Sequence, residues 1–333
     1  MELRDYQRRA VEGVREYLRL LADIKGKTEA AGLGSDLDFS EAAWKKAEVR
    51  DNYKSRRDGT GRSIPAFCLK IPTGGGKTLL AVKSIDAVNT LYLKRRTGLV
   101  LWVVPTSQIY NQTLKSLRDR QHPYRQHLDV ASGGCTVVIE RHEAFAPADV
   151  AENLVVLMLM LPAANRVTNE QLRMFRDSDG FESFFPSEDD RNGHAAMLKA
   201  TPNLDAFERD GFWGGQIKTS LGNTLRLLRP IIVLDEGQKA YSENAQKALN
   251  GFNPSVIIEL SATPPKGSSV LVDIPGVELE REEMIKLDLH VINKASPNWQ
   301  DTLAAAVEKR DALEKSARKY RAASGTYIRP ICL

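Results

Sequence analysis

The sequence predicts an α/β protein: a mostly parallel β-sheet sandwiched by helices, with a helical insertion. Three observations predict it. Six short runs are apolar at nearly every position, as strands covered on both faces must be. Segments with helical periodicity lie between most of them, and a long polar, partly helical stretch at 162–229 breaks the alternation.

In chain order, residues 1–24 form an amphipathic helix, because Leu3, Tyr6, Val11, Val14, Leu18 and Leu21 recur at helical spacing. A glycine-containing stretch leads to a charged helix from Ser40 to about Tyr53, then to the loop SRRDGTGRSIP. Between Trp44 and Arg62 the basic residues exceed the acidic ones by four. Such a run is either a solvated face or a contact surface, the former being more common. The strands are expected at 66–71 (AFCLKI), 99–104 (LVLWVV), 136–139 (TVVI), 154–161 (LVVLMLML), 231–234 (IIVL) and 256–260 (VIIEL). Residues 298–323, rich in Ala, Leu, Glu, Lys and Arg, form one long helix. The sequence closes on TYIRPICL, which reads as a strand.

Composition narrows the class. A length of 333 residues suggests two domains, and 42% hydrophobic content excludes wholesale disorder. The net charge of +4 does not by itself announce a nucleic-acid binder. Cys68, Cys135 and Cys332 are too few and too scattered for a disulfide framework or a cysteine-rich zinc site, and the five histidines show no metal-ligand spacing. The longest apolar run, 154–161, is far short of a bilayer span, and the charged start MELRDYQRRA has no apolar segment behind it. The expectation is a cytoplasmic protein in a reducing compartment, with no membrane segment.

The first expected strand runs into Pro72-Thr73-Gly74-Gly75-Gly76-Lys77-Thr78 and then a helix. Glycines there let the backbone take positive φ and bring N–H groups close to phosphate oxygens, while the helix adds its positive end. Lys77 is placed to reach the β- and γ-phosphates and Thr78 to ligate Mg²⁺. Only the second half of the G-x-x-x-x-G-K-[ST] pattern is met, since Ile71 stands where its first glycine belongs. The strand at 231–234 ends in Asp235-Glu236, at the strand end where ligands sit in open α/β sheets. Asp235 is suited to hold Mg²⁺ and Glu236 to orient and deprotonate water; the alternative is an ordinary acidic helix cap. The strand at 256–260 ends in Ser261-Ala262-Thr263-Pro264, whose hydroxyls can bond to the acidic loop and transmit its state.

IPTGGGKT, VLDEGQK and LSATP, in that order, resemble motifs I, II and III of superfamily 2 helicases and translocases. Leu3-Arg4-Asp5-Tyr6-Gln7 is similar to their upstream glutamine motif, and Val103 to Gln108 (VVPTSQ) to motif Ia. The insertion and the closing LEKSARKYRAASGTYIRPICL look most like the helicase (Res) subunit of type III restriction enzymes. The resemblance implies a P-loop, RecA-like fold and a chain divided into a helical region (1–62), an ATP-binding domain (63–290) and a linker helix with the first strand of a second domain (291–333). It implies ATP and Mg²⁺ as cofactors, double-stranded DNA as partner, and a methyltransferase/specificity subunit beside it. Lys77, Asp235 and Glu236 take the catalytic roles, and Gln7 reads the adenine edge. Thr73, Gly74, Gly75, Gly76, Thr78 and Gln238 belong to the nucleotide site, with Thr78 and Asp235 as metal ligands. Ser261 and Thr263 couple nucleotide state to movement, and Thr106 and Gln112 meet DNA phosphates in a salt-sensitive, sequence-independent way.

Two departures stand out. Gln238 occupies a position where this superfamily usually has histidine. The sequence also stops where a second lobe carrying an arginine finger would begin, so the expectation is a piece that hydrolyses ATP poorly by itself. No Glu-x-Lys occurs, and the sole Asp-x-Lys, Asp23 with Lys25, lies on the first helix, so restriction-type cleavage is not expected here. A GTPase-type switch is the rival enzyme reading: Asp273 and Gly276 mimic D-x-x-G, and Asn293-Lys294-Ala295-Ser296 mimics N-K-x-D, but Ser296 cannot accept the guanine N–H bonds. A non-catalytic nucleotide- and DNA-binding module is the other alternative.

Overall fold

The computed structural model describes residues 2–32, 38–160, 180–207, 215–240, 243–284, 298–325 and 327–330. The chain divides into two units, Met1–Lys286 and Leu287–Leu333. Strands β1 (Ala66–Lys70), β2 (Gly98–Val104), β3 (Thr136–Glu140), β4 (Leu154–Met160), β5 (Ile231–Asp235), β6 (Val256–Ser261) and β7 (Val270–Asp273) form one sheet in the order β3-β4-β2-β5-β6-β1-β7. Every pairing is parallel.

The parallel arrangement explains the unbroken apolar runs. Val100, Trp102 and Val104 of β2 face one hydrophobic cluster, while Leu99, Leu101 and Val103 face another. Both faces are covered. The first is packed by α1 (Asp5–Ala30), α3 (Lys77–Ala87) and α5 (Pro123–Ser132), which bring Leu18, Leu80, Ile85 and Leu128 into it. The second is packed by α6 (Pro147–Glu152), α8 (Leu221–Leu228) and α9 (Glu243–Gly251), through Val150, Leu221, Leu225 and Leu249. Each such buried side chain contributes about 1.5–3 kcal/mol relative to exposure.

The six expected strands are present, each within a residue or two of its expected bounds. The seventh, β7, escaped the sequence because it is a four-residue edge strand with only half-buried side chains. The charged helix expected from Ser40 ends early: α2 (Phe39–Lys46) stops where Glu48 adopts φ +51°, and the Trp44 indole donates to the Asp51 carbonyl at 2.7 Å. Within the expected insertion, α7 (Arg191–Ala200) and a short bridge between Ala206 and Ile217 stand beside α8, which belongs to the main core.

Helix α4 (Ser107–Arg118) follows β2, and α10 (Gly276–Arg281) follows β7. In the second unit, α11 (Trp299–Ser324) matches the expected long helix, and residues 327–330 carry no strand. Asn293 to Ser296, the N-K-x-D mimic, and Cys332 lie outside the described residues. Among the described residues no helix is long and apolar enough to cross a membrane.

Candidate nucleotide-binding site

Sheet order brings the site together. β6 lies between β5 and β1, so the carboxyl ends of three adjacent strands deliver the acidic pair, Ser261 and the glycine loop to one place. The backbone ties them further, for the Ile71 N–H donates to the Ser261 carbonyl at 2.9 Å.

The loop needs its glycines. Gly76 caps α3 at φ +82°, and a Cβ there would fall 2.6 Å from Gln7 Nε2. A Cβ on Gly75 would fall 2.6 Å from the Ile71 side chain. Thr73 and Gly74 are exposed at the tip, and Thr78 is half-buried in the first turn of α3. No side chain caps that turn, which leaves its N–H groups and the positive helix end for an anion.

Lys77 Nζ lies 2.5 Å from Glu236 Oε1. The other Glu236 oxygen accepts from Gln238 Nε2 at 2.6 Å, and Gln238 Oε1 accepts from the Ser261 hydroxyl at 2.6 Å. The Thr263 backbone N–H in turn donates to the Ser261 hydroxyl oxygen at 3.1 Å. One continuous chain of bonds therefore runs from the phosphate-binding lysine to the Ser-Ala-Thr loop. Gln238 can serve in it because a carboxamide both donates and accepts without titrating. Asp235 is buried next to Lys77, and its carboxyl is pushed up to about 6, chiefly by desolvation, with Lys77 pulling it down and Glu236 raising it. A desolvated carboxylate of this kind, beside a phosphate loop and a threonine hydroxyl, is a fitting ligand for a divalent cation.

The structure brings Gln7 to the loop. Its Oε1 accepts from the Arg4 N–H at 3.0 Å, and its Nε2 donates to the Gly75 carbonyl and the Tyr6 hydroxyl oxygen, both at 3.3 Å. Beside it a cleft of about 520 Å³ is lined by Leu3, Arg4, Gln7, Glu282 and Met284. Sequence reasoning missed Tyr6, whose buried hydroxyl donates to the Gly75 carbonyl at 3.1 Å. The only sequence signal was its place before Gln7, and its periodicity marked it as a core residue. Tyr6→Phe is expected to cost about 1 kcal/mol of stability and to weaken ATP binding several-fold by loosening the loop. Thermal unfolding and nucleotide titration check this; an unchanged affinity would show that the loop holds its shape without the phenol.

The expected nucleic-acid residues lie elsewhere along the strand ends. Thr106 caps α4, accepting from the Ile109 N–H, and Gln112 is exposed on that helix. Nearby, Ser107, Tyr110, Arg141, His142 and Met160 line a cleft of about 220 Å³. Glu140, His142 and Glu143 cluster beside it, but both carboxylates are already engaged by Arg118, and Glu140 also by Tyr110.

A parallel sheet that presents a glycine loop, a loop lysine and an acidic pair at neighbouring strand ends defines a nucleotide-binding domain of the helicase type. The model of one family, described as "Type III restriction enzyme, res subunit", matches residues 1–266, and the chain belongs to that family. Among solved structures, the crystal structure of the Pyrococcus furiosus Hef helicase domain is similar at 16% identity with a TM-score of 0.28. The match covers 78% of this chain, and the chain spans 45% of that structure's length. No curated protein matches.

Proposed function

We propose that the chain is the ATP-binding lobe of a superfamily 2 motor of the type III restriction kind, which couples ATP hydrolysis to movement on double-stranded DNA alongside a methyltransferase/specificity subunit. The observation that carries this reading is the bonded path Lys77–Glu236–Gln238–Ser261, which joins the phosphate loop to the Ser-Ala-Thr loop. A plain nucleotide-binding module has no use for such a path. A motor needs one.

Lys77 and the first-turn N–H groups of α3 hold the phosphates, and the cleft beside Gln7 receives the base. Thr78 and Asp235 hold Mg²⁺, which supplies charge neutralisation on the β- and γ-phosphate oxygens. Glu236 positions the attacking water and takes its proton. Before nucleotide arrives, Glu236 holds Lys77 by an ion pair, so the γ-phosphate competes with the carboxylate for the ammonium. Release of Glu236 then pulls on Gln238, and through it on Ser261 and the Thr263 N–H.

Asp235 gives this reading a pH signature. Its carboxyl sits near 6 in the folded protein, above its ordinary value, so its contribution to stability is complete below about pH 4 and is lost as pH rises through 6. Metal binding has the opposite sign, because it needs the ionised carboxylate. Mg²⁺-dependent ATP affinity is expected to fall by up to about tenfold per pH unit below 6. Titrating ATP at several pH values, with Asp235→Asn as control, checks it; a flat profile in the native protein would remove Asp235 from the metal site. The reading as a whole is tested by ATP turnover with and without duplex DNA. Turnover that duplex DNA leaves unchanged would favour the non-catalytic module.

A further inference from the structure

Helix α7 carries a histidine that the nucleotide site does not use. His194 is only 4% exposed, and its Nδ1 accepts the Ile217 N–H at 3.3 Å. That bond places the hydrogen of the neutral ring on Nε2. Nε2 is buried and has no partner among the described residues. A buried donor without an acceptor is costly, and such an atom invites a ligand.

His194 lines a pocket of about 470 Å³, together with Arg191, Lys199 and Gln216. No carboxylate lines it. Arg191 and Lys199 form no ion pair with any described residue. The nearest acid in sequence, Asp190, is occupied as the cap of α7, accepting from the Gly193 N–H at 2.8 Å. Gln216 is fixed in place, its Nε2 donating to the Glu188 carbonyl at 2.6 Å. The cavity thus gathers two cationic side chains around a buried N–H donor. It calls for an anion with several acceptor oxygens.

We propose that this pocket is a phosphate site, separate from the glycine loop, which takes a phosphate of a nucleic-acid backbone. Arginine and lysine supply charge-assisted bonds to the phosphate oxygens, and His194 Nε2 supplies the orienting donor. The volume lies within the range of small-ligand sites (roughly 300–1,000 Å³), which leaves room for the sugar on either side of a phosphodiester. Free phosphate offers the same oxygens, so the test separates the two sources. No residue is shared with the nucleotide site, and the inference leans on the motor reading only in naming the backbone as the source.

The test uses the full chain with ¹⁵N-labelled histidine, and a variant carrying Arg191→Ala and Lys199→Ala, both at exposed positions. Inorganic phosphate and a short DNA duplex are titrated separately, while the His194 ring signals are followed. DNA is expected to shift those signals in the native protein and not in the variant. The slope of log affinity against log salt concentration should fall by about 2 in the variant, at ~0.9 per phosphate contact. ATP binding is expected to be the same in both proteins, which distinguishes loss of this pocket from failure at Lys77. A response to phosphate alone, with the salt slope unchanged, would overturn the backbone source and assign the pocket to free phosphate. Signals that move with neither ligand would overturn the site altogether.

Discussion

Glu236→Gln is expected to lower ATP turnover about 10²–10⁴-fold, the range for loss of a positioned general base, while leaving ATP–Mg²⁺ binding intact. The reason lies in what each carboxylate oxygen touches. Oε1 holds Lys77 and Oε2 holds Gln238. A glutamine keeps the shape and can still bond to Gln238, but it offers no base for water and only a weak hold on the ammonium. Lys77, freed from its ion pair, becomes more available to phosphate, so affinity should rise slightly. Lys77→Ala has the contrasting signature: loss of a charge-assisted bond of about 1.5–3 kcal/mol should weaken ATP binding by one to two orders of magnitude. The glutamine variant also acts on its neighbour. Glu236 raises the Asp235 carboxyl, so its neutralisation should move the acid limb of ATP–Mg²⁺ binding to lower pH. Calorimetric titration and steady-state turnover read these effects separately. Unchanged turnover in Glu236→Gln would remove the catalytic role of Glu236, and with it the motor reading.

Much of this site was legible because its residues carry meaning locally. Glycines beside a lysine, or an acidic pair after an apolar strand, announce phosphate and metal chemistry wherever the fold puts them. The two-faced apolar runs likewise fixed the parallel sheet, since only strands buried on both sides lack alternation. Contacts between residues distant in sequence were not legible. Tyr6 reaches Gly75 across 69 positions, and as an aromatic at helical spacing it read as core, which it also is. The adenine role expected of Gln7 gives no hint of its bonds to Arg4 and Gly75, which fasten α1 to the loop. Edge strand β7 failed for an energetic reason: half-exposed and four residues long, it needs little apolar patterning to hold its place. His194 was passed over because a lone histidine has no pattern, and its significance lies in an unpaired atom that only coordinates reveal.

The basic run between Trp44 and Arg62 offers the sharpest case, and the largest stability effect expected of a single substitution. Taken as a charge pattern, it reads as a solvated face or a contact surface. Most of it is exposed, but Arg56 turns inward. Its guanidinium lies 2.5 Å from Glu259, with the two side chains 9% and 2% exposed. Glu259 sits in the middle of a central strand, paired in register with Cys68, and its Cβ lies 3.6 Å from where a Cβ on Gly237 would stand. Burial beside that carboxylate pushes the Cys68 thiol well above its ordinary value, which keeps it protonated and inert. Glu259 therefore lies beneath the acidic loop and two residues before Ser261. Arg56→Met strands this carboxylate in a low-dielectric interior, at a cost of about 3–5 kcal/mol. Glu259→Gln alone should cost less, because a carboxamide can still accept from the guanidinium. Arg56→Met combined with Glu259→Met removes both charges, and it should recover most of the loss, since replacing a whole buried pair is often close to neutral. Denaturant unfolding of the three variants checks the order. If the double variant is no more stable than Arg56→Met, the pair contributes more than charge compensation, and the loop before β1 owes its position to that contact. Either result bears on function, because the strand that carries Glu259 also carries the serine at the far end of the path from Lys77.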